Sequence, residues 1–156
     1  MQVAEVLQAL DFVTMFGVAT LGEGIELRLQ GITKEILVLG ATRLEDAKLA
    51  SNYNISISVF SMEFAKELEK IELTKPLKLH IKLDTGMSRI GYLCCEESLI
   101  DIEKIAKLPF IEIDGMYTHF SNAINEKWTN IQYKRFVEVI EFLKSNGYEP
   151  KYLHCS

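Results

Sequence analysis

Two lysines, an aspartate and an arginine crowd one short stretch of the chain, Lys78-Leu-His-Ile-Lys82-Leu-Asp84-Thr-Gly86-Met-Ser-Arg89-Ile-Gly91. An alternating apolar run there stops abruptly in a polar turn flanked by glycines. Charges at the edge of a core are costly unless paired or used, so this turn reads as a site. Arginine keeps its charge and donates in a fork suited to a carboxylate or a phenolate oxygen. Gly86 lets the backbone turn and approach a ligand closely. Strand alternation puts Lys78, His80, Lys82 and Asp84 on one side and Leu77, Leu79, Ile81 and Leu83 on the other. The residue types alone read Lys82 either as a functional group near the strand's exit or as a structural ion-pair partner of Asp84 or of a neighbouring strand. They read Arg89 either as a ligand contact or as a solvated loop arginine. His119 ends another strand, on the parity of Gly115 and Tyr117, among Thr118, Ser121 and Asn122. A histidine there can stack on a planar ligand or act near neutral pH, or be a satisfied core side chain. Cys155 and Ser156 end the last strand.

Those residues need elements to hold them. Val3, Val6, Leu7 and Leu10 fit a helix over 2–10. Phe12–Ala19 is an apolar run expected to be a buried strand, and 23–30 a short helix weakened by Gly22 and Gly24. Strands are expected at Glu35–Leu39, Ile55–Phe60, Leu77–Leu83, Ile111–Phe120 and from Tyr152. Helices are expected at 43–50, 62–70 (capped by Ser61), 97–107 and 128–144. Phe12, Met15, Phe16, Trp128 and Phe136 have core spacing. Strict alternation of helix and strand, with apolar strands, predicts a parallel α/β sheet covered on both faces. No GxGxxG follows the first strand, and polar residues recur at the ends of several strands, which favours a barrel. Six strands are predicted where a barrel of this type has eight. The chain is therefore expected to be a piece of a larger barrel, with edge strands prone to association.

The 156 residues carry a formal charge of −5 and no basic run, so nothing points to nucleic acid or an anionic membrane. No apolar stretch reaches the roughly 20 residues of a membrane span, and no leader is evident at the N-terminus. The three cysteines, Cys94, Cys95 and Cys155, do not form a disulfide pattern. The expected compartment is the cytoplasm. No metal-ligand spacing links His80, His119 and His154.

His80-Ile-Lys-Leu-Asp-Thr-Gly-Met-Ser-Arg-Ile-Gly91 resembles the signature of the alanine racemase family. Asp114-Gly-Met-Tyr-Thr-His-Phe-Ser-Asn-Ala123 is similar to that family's next strand, and His154-Cys-Ser156 to the start of its His-x-x-Asn-Ser segment. Val18-Ala-Thr-Leu-Gly-Glu-Gly24 and Ile36-Leu-Val-Leu-Gly40 match its earlier strands more loosely. The resemblance covers essentially the whole chain. It implies a single domain over 1–156, part of a pyridoxal 5'-phosphate-binding (β/α)8 barrel of the TIM type, roughly strands 2 to 7 of eight. The family's C-terminal β domain is not among these residues. It implies a cytoplasmic, homodimeric isomerase that interconverts L- and D-alanine, for cell-wall precursor supply, by two-base proton transfer at Cα. By that resemblance Arg89 contacts the cofactor's phenolic oxygen and the substrate, Lys82 (often carbamylated in the family) orients Arg89, and His119 stacks on the pyridine ring. The family's cofactor-holding lysine and its catalytic tyrosine match no residue of the chain, so no catalytic residue is assigned. No metal is implied. Gly22 and Gly24 stand where the family usually has helix formers. Alternatives are a racemase of the same family acting on serine, lysine or a broad range, or a non-catalytic pyridoxal-phosphate-binding barrel protein. The 156 residues alone are expected to be inactive.

Overall fold

A computed structural model describes residues 2–156. Helices and strands alternate: α1 (Gln2–Gln8), β1 (Met15–Val18), α2 (Leu21–Leu29), β2 (Glu35–Val38), a 3-10 turn (Leu44–Asp46) leading into α3 (Ala47–Asn52), β3 (Ser56–Val59), α4 (Met62–Leu68), β4 (Leu77–Asp84), β5 (Tyr92–Leu93), α5 (Glu96–Ala106), β6 (Ile111–Thr118), α6 (Glu126–Ser145) and β7 (Tyr152–Cys155). The sheet is parallel, in the order β1-β2-β3-β4-β6-β7, with the two-residue β5 on the end of β4. This is a partial TIM-type barrel. No helix among the described residues is long and apolar enough to cross a membrane.

The two faces of the curved sheet differ in chemistry. Ile36, Val38, Ile57, Val59, Leu77, Leu79, Ile81, Leu83 and Met116 pack in one apolar cluster with Ala47, Ala50, Ala65, Ile102, Ile105, Phe136 and Val139 of the helices. The other parity points into the lumen and is polar: Ser56 and Ser58 on β3, His80 and Lys82 on β4, all buried. Both faces of β3 and of most of β4 are therefore shielded, and their alternation separates greasy from polar rather than in from out.

The helices start where their caps say. Thr20 and Glu23 form a reciprocal capping box on α2, Ser61 Oγ accepts from Phe64 N, and Asn125 Oδ1 from Trp128 N. The box offsets the helix cost of Gly22 and Gly24. Gly24 also has a packing reason, because a Cβ there would lie 3.1 Å from Ile55 Cδ1. The first strand differs from expectation. Only Met15–Val18 pair, and Phe12 is 80% exposed. Among the described residues β1 pairs only with β2, so the apolar run lacks a second neighbour to bury it.

One irregularity shapes the lumen. The pairing of β4 with β6 runs Leu79↔Ile113 and then His80↔Gly115, skipping Asp114. This bulge sets Gly115 beneath the imidazole of His80. A Cβ on Gly115 would lie 2.3 Å from His80 Cε1, so only glycine leaves room for the ring.

Candidate functional site at the mouth of the lumen

β4, β6 and β7 place Lys82, Tyr117 and His154 in one row across the sheet. Tyr117 lies between the other two. Its ring stacks on His154 at 4.9 Å and 3°, and Lys82 Nζ stands 5.1 Å from the ring centroid on the β4 side. Ser58 Oγ donates to Val38 O at 2.7 Å, which leaves Ser58 Oγ to accept from the Tyr117 hydroxyl at 2.8 Å, with Leu39 O as a longer second acceptor at 3.3 Å. The tyrosine thus props the lumen open from β6 to β3. Lys82 is only 3% exposed and makes no hydrogen bond among the described residues. Its cation rests on the tyrosine π-face alone. Burial, and next the nearby charge of Arg89, hold its ammonium pKa below the ordinary value, against a pull from Asp84.

Asp84 does not pair with Lys82. Its Oδ1 accepts the N–H groups of Gly86 and Ser88, both at 2.9 Å, and its Oδ2 that of Arg89 at 3.0 Å. Burial raises the Asp84 pKa, but these bonds outweigh it and leave the carboxyl below its usual range. Gly86 and Gly91 take φ of +139° and +140°, and Ser88 +57°. A Cβ on Gly91 would meet the backbone of Leu83 and Asp84 below 3 Å, so the loop closes tightly on β4. It presents the Arg89 side chain in solvent, with no carboxylate paired to it among the described residues.

His119, half-buried, follows β6. Its Nδ1 lies 3.2 Å from Ser156 Oγ beyond β7, and its ring meets Tyr117 edge-on at 6.0 Å. The structure thus gathers Lys82, Tyr117, His119 and His154 around one opening, with Arg89 close enough to act electrostatically on Lys82 and Tyr117. A cleft of ≈ 450 Å³ runs along the lumen from Gly17 and Leu39 past His119, His154 and Ser156; Lys82, Tyr117 and Arg89 are not among its lining residues. That is within the roughly 300–1,000 Å³ of small-molecule sites. An unpaired guanidinium, a half-buried imidazole, a buried lysine without an acceptor and hydroxyls fit a planar anionic aromatic ligand. Among the described residues no three of His, Cys, Asp or Glu converge on a metal-sized space, and the three cysteines are unbonded to each other.

Deeper in the lumen His80, 0% exposed, stacks with Tyr152 at 6.0 Å and its Nδ1 lies 3.4 Å from His154 Nε2. Its Nε2 lies 4.0 Å from Asp114 Oδ2, too long for a hydrogen bond. Burial, then His154 and Lys78, push its pKa down to about 3. Asp114 is raised, chiefly by burial; because the imidazole is neutral at neutral pH, the two do not form an ion pair there. Lys78 pairs instead with Glu35 at 2.9 Å. His80 folded binds its proton near pH 3, whereas unfolded it binds near 6.5. Its contribution to stability is complete above pH 6.5 and is lost as pH falls towards 3. The melting midpoint of the wild type is expected to fall with pH across that window more steeply than that of His80→Phe. The difference approaches at most about 1.4 kcal/mol per pH unit. Equal slopes in a pH series of thermal melts would contradict the buried neutral imidazole.

The alternation of β4 and the parity of β6 point to Lys82, Asp84 and His119. They do not by themselves show that Tyr117 and Ser58 meet across the lumen. Gln132 carries a signal of its own kind: it sits on the stripe Trp128, Phe136, Val139, Leu143 of α6, where a polar residue is out of place.

A family model described as alanine racemase, N-terminal domain, matches residues 1–156. The chain is 40% identical over 147 residues to an alanine racemase of Clostridium tetani, covering 92% of this chain and 38% of that protein. It is 42% identical over 144 residues to one of Methanococcus maripaludis, covering 89% and 38%. Among solved structures, alanine racemase of Clostridium difficile 630 in complex with cycloserine superposes with a TM-score of 0.93 at 34% identity, covering 99% of this chain and 43% of that one. The chain thus spans about 38% of the length of these curated relatives.

Proposed function

We propose that this chain, which belongs to the alanine racemase N-terminal domain family, is a barrel segment of a pyridoxal 5'-phosphate-dependent isomerase that interconverts L- and D-alanine. The carrying observation is the meeting of Lys82, Tyr117 and His119 at one end of the lumen, with Arg89 on the loop that follows β4, in a chain about 40% identical to alanine racemases.

The bound cofactor would supply an electron sink for the charge left when the substrate loses its Cα proton. The residues of this chain bind and orient. By the family resemblance Arg89 would donate to the cofactor's phenolic oxygen and to the substrate side. His119 would stack on the pyridine ring, its Nδ1 held 3.2 Å from Ser156 Oγ. Lys82, beneath Arg89, sets that arginine's position. The positive charge of Arg89 acts unfavourably on the Lys82 cation, and addition of the neutral Lys82 amine to dissolved CO2, with release of a proton, would give a carbamate anion able to pair with Arg89. An amine whose pKa burial has lowered is the better nucleophile for that step. The two proton-transferring bases, a lysine and a tyrosine by resemblance, lie in parts of the family's longer proteins outside these 156 residues. The single barrel domain described by 1–156 acts in a cytoplasmic homodimer.

Chiral analysis of alanine incubated in D₂O tests this reading. The full-length protein supplied with pyridoxal 5'-phosphate is expected to convert L-alanine to D-alanine with deuterium at Cα, and the 156 residues alone to leave it unchanged. A full-length protein without this exchange would remove the proposal.

A further inference from the structure

A chain of side-chain hydrogen bonds joins the Arg89 loop to the segment after His119, and one glutamine is its hinge. Trp128 Nε1 donates to Ser121 Oγ at 2.6 Å, and Ser121 Oγ donates to Gln132 Oε1 at 3.0 Å. The same carbonyl accepts Ser121 N at 3.1 Å, which fixes the orientation of the amide, since a backbone N–H can only donate. Gln132 Nε2 therefore faces Thr85 Oγ1, at 3.3 Å. Thr85 Oγ1 donates to Thr118 Oγ1 at 2.9 Å, and Thr118 donates to Leu83 O at 3.0 Å. Every hydroxyl proton has one destination. Gln132, Thr85 and Thr118 are almost wholly buried, where an unmade bond is costly. Arg135, one turn along α6, donates to Thr85 O at 2.8 Å and lies over Trp128. Gly86 has Trp128 and Arg135 against its open side.

We propose that Gln132 is a positioning residue that locks the Arg89 loop and the His119–Ser121 segment into one register, so that the guanidinium and the imidazole reach one ligand together. This rests on the cofactor reading above for the identity of the ligand, though not for the mechanical coupling. Gln132 touches neither ligand nor reacting atoms. It acts through Thr85, which begins the loop organised by Asp84, and through Ser121, two residues past His119.

Hydrogen exchange of the chain without any ligand tests the coupling. Gln132→Met is expected to speed exchange about tenfold or more in both 84–91 and 119–123, the factor one or two unmade bonds give, while β4 stays protected. Ser121→Ala, at an exposed position that does not threaten folding, is expected to loosen 84–91 as well, a segment that the Ser121 side chain reaches through Gln132 of α6. Loosening confined to the altered side, or spread evenly over the sheet, would overturn the proposal. A double-mutant cycle on pyridoxal 5'-phosphate affinity adds the functional readout. Gln132→Met should weaken binding about tenfold in the wild type, less beside Arg89→Ala alone, and little beside Arg89→Ala and His119→Ala together. Additive losses would contradict positioning. If Arg89→Ala alone leaves affinity unchanged, the cofactor reading fails, while the coupling is still decided by exchange.

Discussion

Gly115→Ala is expected to destabilise the protein by about 3 kcal/mol, the upper part of the range for overpacking a core. The new Cβ would stand 2.3, 2.5 and 2.8 Å from three atoms of the His80 ring. That ring is fully buried and packed against Tyr152 and His154, so moving it disturbs both neighbours. The register skip at Asp114 fixes Gly115 opposite His80, and the backbone cannot slide without losing the β4–β6 ladder. Denaturant titration of Gly115→Ala checks this. The double variant Gly115→Ala, His80→Ala should recover part of the loss, because the clash is with one side chain. A single variant that unfolds with the wild type would mean that the lumen is looser than these contacts imply.

If the full-length protein racemises alanine as proposed, Arg89→Lys should lower its turnover by about 10²–10³-fold, the range for removing one well-placed donor to a developing charge. It should change thermal stability little. The Arg89 side chain is exposed and supports no neighbour, while the loop is held by its backbone through Asp84 and by Gln132 and Arg135 through Thr85. Lysine keeps the charge but not the planar fork, so the split between activity and stability separates a ligand contact from a structural one. Turnover within twofold of the wild type would remove Arg89 from the site.

Much of this arrangement is legible in the residues. Parity along Leu77–Asp84 separates the helix-facing leucines from the lumen-facing lysines and histidine because a strand's period is two. The glycines around Arg89 announce a tight loop, and Gly86 and Gly91 adopt positive φ. The partners of the charges are less legible. Asp84 looks like a counter-ion for Lys82 but caps backbone N–H groups, an outcome set by how sharply the loop folds back. The Asp114 bulge leaves no mark in a sequence read strand by strand, since a register skip belongs to the pair β4–β6. Phe12 looks like core, yet burial depends on a neighbouring strand and not on its own apolar run. The contacts of Tyr117 with Ser58 and of Gln132 with Thr85 and Ser121 cross the fold, and only the packed barrel brings them together.

The central claim, that the mouth formed by Lys82, Arg89 and His119 receives the cofactor, meets its most direct test in a titration of the protein with pyridoxal 5'-phosphate. Trp128 is the lone tryptophan of these 156 residues and packs on the Arg89 loop through Gly86, so in a titration of the 156-residue chain its fluorescence reports on ligand arriving there. The account predicts saturable quenching whose midpoint moves about tenfold or more to weaker binding in each of Arg89→Ala and His119→Ala, one lost ligand contact apiece. Binding of equal strength in the wild type and both variants would contradict it.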